Sequence, residues 1–155
     1  EISKIRMAPK MTMGFEVNYK KLMELGMDWA DYLGFETGEF LLELTTRSLP
    51  PDWERMVFQL QGKGYTVIIA HPERYKPVQE NLDIVRQFIG AGCKIQVSAD
   101  FMGEGSFSPI KKTAKKLFEE DLVNFIASDA HGPLAYELLW RARKEFFAKG
   151  AHARM

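Results

Sequence analysis

Residues 67–75 read VIIAHPERY. Four apolar side chains run without a break into a histidine, a proline, an acid and an arginine. A short apolar run that ends abruptly in polar residues fits a strand covered on both faces, as strands of a parallel sheet are. Residues 125–132, FIASDAHG, repeat the design, with a carboxylate and a histidine after the apolar run. Both stretches place candidate chemistry at the tip of a buried strand.

The segments around them alternate in type. MGFEV (13–17), EFLLEL (39–44), TVIIA (66–70), CKIQVS (93–98) and VNFIA (123–127) read as strands. Between them lie amphipathic segments. YKKLMELG (19–26) is a helix stopped by Gly26. Pro50, Pro51 and Asp52 open a helix through WERMVFQLQGKG, since proline suits a first helical turn. NLDIVRQFIGAG (81–92) puts Leu82, Val85, Phe88 and Ile89 on one face and ends at glycines. Ser108 and Pro109 start IKKTAKKLFEEDL, and PLAYELLWRARKEFFAKG (133–150) closes the series. Strands alternating with helices need crossover connections, which make the strands parallel. The class is therefore α/β, either an open sheet or part of a (β/α) barrel, with about five parallel strands. In both architectures sites lie beyond the carboxyl ends of the strands.

The chain of 155 residues suits a single domain spanning 1–155. Hydrophobic residues make up 46% and charged residues 27%, a composition that folds rather than staying disordered. Twenty-one basic and 21 acidic residues cancel, so no global field draws nucleic acid or an anionic membrane. No apolar run approaches the roughly 20 residues of a membrane span. The single cysteine, Cys93, excludes an intrachain disulfide, fits a reducing cytoplasm, and reads as a small core residue. Cysteine-based phosphatase chemistry is disfavoured, because the position six after Cys93 is Ala99 rather than arginine. The first residues, EISKIRMAPKMTMGFEV, read like the middle of a longer protein.

At the strand tips the polar residues are Glu16, His71 with Arg74, Gln96 with Ser98, and Asp129 with His131. Asp129 and His131 are two apart, so an extended backbone points both side chains the same way. Oxygen and imidazole donors without thiolate suit manganese, iron or zinc, and magnesium less well. Two of the three histidines sit just after apolar strands, and the third, His152, reads as solvated. Arg74 is a candidate phosphate ligand or a loop ion-pair partner of Glu73. Glu43, inside LLEL, could reach the site or sit at a sheet edge. Lysines 111, 112, 115 and 116 in KKTAKK read as a solvated face or a docking site for an acidic tail. Trp29, Trp53, Trp140 and Phe146–Phe147 read as packing residues.

AHPERY, preceded by QLQGKGYTVII, resembles the bacterial metal-dependent protein-tyrosine phosphatases of the polymerase-and-histidinol-phosphatase superfamily. FIASDAHG resembles their last metal motif, GFEV their middle glutamate motif, and LLELTTRSLPPDWERMVFQLQGKGY the strand and helix that join them. The resemblance covers roughly residues 10 to 145. It implies a distorted, TIM-like (β/α) barrel and a trinuclear metal centre, with manganese the expected ion. It carries over Glu16, His71, Asp129 and His131 as metal ligands and Arg74 as the phosphate-contacting residue. It also implies a cytoplasmic enzyme of capsule and exopolysaccharide regulation, acting on phosphotyrosine in a protein tail, often that of a bacterial tyrosine kinase.

The chain departs from that pattern in two places. The family opens with a histidine-x-histidine motif, and this chain has no histidine before His71. What is present resembles the C-terminal two-thirds of the barrel. The family arginine soon after the final D-x-H is also missing, and the next arginine is Arg141. The alternatives are a small-molecule phosphoesterase, such as a histidinol phosphatase, and a catalytically inactive binding module of the same fold. Unpaired strand edges lead to the expectation of a homo-oligomer.

Overall fold

The apolar run at 66–70 is the central strand of a five-stranded parallel sheet. The structure, a computed structural model, describes residues 12–147. His152 and the end of the last expected helix lie outside the described residues.

The strands are β1 (Glu16–Asn18), β2 (Glu39–Glu43), β3 (Thr66–Ala70), β4 (Lys94–Ser98) and β5 (Phe125–Ala127). They lie in chain order, each paired in parallel with the next. Every crossover therefore steps in the same direction. A doubly wound sheet reverses direction at its switch point, whereas a (β/α) barrel never does. The sheet thus has the strand order of a barrel segment.

The helices are α1 (Tyr19–Leu25), α2 (Ala30–Leu33), α3 (Trp53–Gly62), α4 (Lys76–Glu80), α5 (Asp83–Gly90), α6 (Pro109–Glu119) and α7 (Leu134–Ala142). Side-chain alternation along the strands separates two faces. Val17, Phe40, Leu42, Val67, Ile69, Ile95, Val97 and Ile126 pack with Met56, Leu60, Val85, Phe88, Ala114 and Leu117 from the helices into one core. Each fully buried apolar side chain of this kind contributes about 1.5–3 kcal/mol. The opposite face carries a much smaller apolar group of Leu41, Ile68 and Ala70, flanked by Phe35 and Phe125. On that face the register aligns Glu16 with Leu41, Asn18 with Glu43, and Ala70 with Gln96.

Several sequence expectations shift. Ile89 does not join the apolar face of α5: it is exposed, while Val85 and Phe88 are buried. Trp53 packs edge-on against Phe88, but Trp29 and Trp140 are exposed, so two of the three tryptophans are not core residues. Phe146 stacks on Phe118 as expected. Asp52 does not cap α3 with its side chain, because its carboxylate accepts the Tyr19 hydroxyl instead. The short helix at 76–80 was not legible, since Pro77 and its five-residue length hide any period.

Candidate metal centre

Strand alternation would turn His71, which follows Ala70, toward the helices. The backbone at His71 instead adopts a left-handed conformation, with φ 34. That twist brings the imidazole to the opposite face, among the acids of β1 and β2. His71 Nε2 lies 3.1 Å from Glu16 Oε1 and 3.7 Å from Glu43 Oε1. Donor atoms of Glu16, Glu43 and His71 all lie within 4.8 Å of one another. Asn18 Nδ2 donates to Glu43 Oε2 at 2.7 Å and fixes the second carboxylate. Glu43 therefore faces the site rather than a sheet edge. Its signal in the sequence was the break in LLEL, an acid in an otherwise apolar strand.

His71 is 2% exposed, and its Nδ1 is buried with no hydrogen-bond partner. Burial opposes protonation of the ring, but the Glu16 carboxylate outweighs it and the net shift is upward. Two carboxylates on one buried imidazole repel each other unless positive charge lies between them. An all-oxygen-and-imidazole donor set of this kind fits a divalent cation.

The remaining tip residues form a second group. Arg74 donates to Asp129 Oδ2 at 2.5 Å, to Asp100, and to Ser98 Oγ at 3.3 Å. Burial opposes the guanidinium charge, and Asp100 and Asp129 together hold it on. Arg74 does not pair with Glu73. That residue is fully buried, turned away, and accepts the Ser98 amide N–H at 2.9 Å. Burial pushes the Glu73 carboxyl up to about 7. Asp129, like His71, has a left-handed backbone, with φ 44. Held, strained backbone of this type concentrates at functional sites. Gln96 stays on the site face through its register with Ala70.

The structure thus brings Glu16 and His71 together and adds Glu43. It places Asp129 with Arg74, outside that donor group. His131 Nε2 lies 3.3 Å from Asp129 Oδ1, and its side chain is 90% exposed. Asp100 was missed because nothing in SADFMG sets it apart from an ordinary loop acid. Cys93 is a buried core residue, and burial pushes its thiol up to about 12.

Comparison with known proteins identifies the family of the chain. The model of the family described as capsular polysaccharide synthesis, CpsB/CapC, matches residues 1–136. CapC of Staphylococcus aureus is 34% identical over 113 residues, which are 70% of this chain and 44% of CapC. The tyrosine-protein phosphatase YwqE of Bacillus subtilis is 30% identical over 116 residues, covering 72% of this chain and 46% of YwqE. A chain from the crystal structures of YwqE from Bacillus subtilis and CpsB from Streptococcus pneumoniae, described as unique metal-dependent tyrosine phosphatases, superposes with a TM-score of 0.70. It is 28% identical, and the match covers 86% of this chain and 56% of that one. The chain spans about half the length of the relatives it matches. With the family model covering most of its length, the chain belongs to the CpsB/CapC capsular polysaccharide synthesis family.

Proposed function

We propose that this chain carries part of the site of a metal-dependent phosphatase acting on phosphotyrosine in proteins. The observation that carries the reading is the buried His71 imidazole set between Glu16 and Glu43. Those three residues would hold the cation, and Asp129 and His131 are proposed as further ligands. Manganese is the favoured ion, with iron or zinc as alternatives of the same donor preference. A divalent cation bound there supplies Lewis acidity toward a phosphoryl oxygen and lowers the pKa of a water.

The chain's own residues do the rest. Glu16 and Glu43 set the negative charge that selects a dication, and Asn18 keeps Glu43 aimed. Arg74 offers a planar fork of donors matched to phosphate oxygens. Asp100 pairs with the same guanidinium and holds it in place. The protein substrate is proposed to be the tail of a bacterial tyrosine kinase in the cytoplasm, with the whole of 1–155 folding as a single domain. Association of copies through strand edges belongs to the same proposal.

A second reading has its own observation. Asp129 is engaged by Arg74 and His131 is exposed, so only three donors converge among the described residues. A binding module that holds one cation and turns nothing over fits that count. Turnover of a phosphotyrosine peptide and of histidinol phosphate, with manganese added, separates the readings. The proposal expects faster hydrolysis of the peptide, lost in Arg74→Ala. Faster hydrolysis of histidinol phosphate would favour a small-molecule enzyme, and bound metal without turnover of either would favour the binding module.

A further inference from the structure

Helix α6 presents one face to the core through Thr113, Ala114, Leu117 and Phe118. Its other face and the facing part of α4 border a groove of about 420 Å³. Lys112, Lys115 and Lys116 line it, together with the ring of Phe107 and the side chain of Leu82. Phe107 is 88% exposed, and Lys112 Nζ lies 5.6 Å from its ring centroid. Lys115 is paired with Glu145 at 3.7 Å. Among the described residues, no carboxylate lies within ion-pair distance of Lys112 or Lys116. Glu119, one turn beyond, is the groove's own acid.

We propose that this groove docks an extended acidic peptide segment that carries an aromatic or large aliphatic residue. Three features fix the chemistry of the occupant. Two unpaired ammonium groups, at i and i+4 of α6, stand about 6 Å apart at their Cβ atoms. In an extended peptide, side chains two residues apart point the same way and are separated by about 6.6–6.8 Å. An acid-x-acid sequence therefore meets both lysines with one strand. Phe107, Leu82 and the aliphatic stems of the lysines give an apolar residue of the peptide a surface to cover. An exposed phenylalanine beside lysines is a contact surface of the amphipathic kind found at interfaces. A duplex or a bilayer is disfavoured by shape, since the basic groups line a concave slot, and by the balanced charge of the whole chain.

The groove is tied to the turn that carries part of the candidate site. Gln79 of α4 lines the groove and donates to the backbone carbonyl of Glu73 at 2.8 Å, within the turn that carries His71 and Arg74. Docking supplies local concentration for a neighbouring residue at the strand tips. The location gains its meaning from the phosphotyrosine reading, but the binding does not depend on it.

The test uses the full chain without added metal and a fluorescein-labelled, unphosphorylated peptide with two glutamates two positions apart next to a phenylalanine. Fluorescence anisotropy should give saturable binding that weakens with added salt and falls at least tenfold when glutamine replaces both glutamates. Lys112→Glu with Lys116→Glu should weaken binding at least tenfold, and Phe107→Ala severalfold, with circular dichroism unchanged. Lys112→Gln with Lys116→Gln provides a milder pair with a smaller loss in the same direction. Unchanged affinity in the charge-reversed protein would overturn the proposal. So would equal competition by single-stranded RNA or phosphatidylserine vesicles, which would make the patch a general anion surface. Because no turnover or metal enters the measurement, a failed phosphatase assay leaves this result standing, and the reverse holds.

Discussion

Glu73 Oε1 accepts the amide N–H of Ser98 at 2.9 Å, so a fully buried carboxyl on the turn after β3 is tied to the end of β4. The tie stands between the two groups of polar tip residues. It holds the turn whose left-handed start presents His71, and it ends beside the Ser98 hydroxyl that meets Arg74. Removing it leaves a buried amide N–H unpaired. Glu73→Ala should therefore destabilise the fold by about 2–4 kcal/mol in urea unfolding. Glu73→Gln keeps an acceptor oxygen and should cost clearly less. Equal losses in the two variants would show that the hydrogen bond is not what the buried side chain supplies.

Gly34 packs where no side chain fits. A Cβ there would lie 2.5 Å from the Tyr65 ring, and Tyr65 is anchored because its hydroxyl donates to the Ala30 carbonyl at 3.1 Å. The ring cannot swing aside without losing that bond. Gly34→Ala should cost about 1–3 kcal/mol by overpacking, read as a lowered urea midpoint. Gly62→Ala serves as control, since a Cβ there meets nothing within 4 Å.

Alkaline pH should weaken the fold through its buried thiol and phenols. Burial pushes the Cys93 thiol and the Tyr19 hydroxyl up to about 12, and the Tyr75 hydroxyl well above its ordinary value of 10.0. Asp52, which accepts the Tyr19 hydroxyl, raises it further. In the unfolded chain the thiol ionises near 9 and the phenols near 10. Between those values and 12 the unfolded state binds fewer protons than the folded state, so stability falls as pH rises. The urea midpoint should drop steadily from pH 9 to pH 11. Cys93 should react with thiol reagents only at the rate of global opening, and fast labelling of the native protein at pH 8 would contradict its burial.

Much of the fold was legible because its signals are local. VIIA and FIA are short apolar runs with sharp ends, and β3 and β5 lie within the stretches read as strands. That the strands are parallel followed from their alternation with helices, while their order did not, because an open sheet and a barrel segment share that alternation. The metal candidates were legible in part. His71 and Glu16 meet, as expected of strand tips on one sheet. Glu43 stayed undecided because strand pairing, which puts it beside Asn18, cannot be read from LLEL alone. The distance between Asp129 and the Glu16–His71 pair was not legible either. It depends on an unpredicted left-handed residue at Asp129 and on Arg74 reaching across to it. Trp29 and Trp140 misled because large aromatic residues are buried on average, while individual ones stand at surfaces.

Arg74 bridges two carboxylates at once, Asp100 and Asp129. Both bonds leave one guanidinium nitrogen, Nη2, and the ammonium of lysine ends one bond short of it. Arg74→Lys should therefore lower the urea midpoint measurably, and Asp100→Asn in the same background should return part of the loss by removing a half-paired acid. An Arg74→Lys protein as stable as the parent would show that the bridge contributes nothing to the fold.

The central claim is that Glu16, Glu43 and His71 form one cation site. Manganese binding, followed by electron paramagnetic resonance of the free ion in titrations of the chain, tests it most directly. The account predicts saturable binding of at least one equivalent, weakened tenfold or more in His71→Ala and in Glu43→Gln, each confirmed folded by circular dichroism. Binding of equal tightness in the parent and in both variants would contradict it.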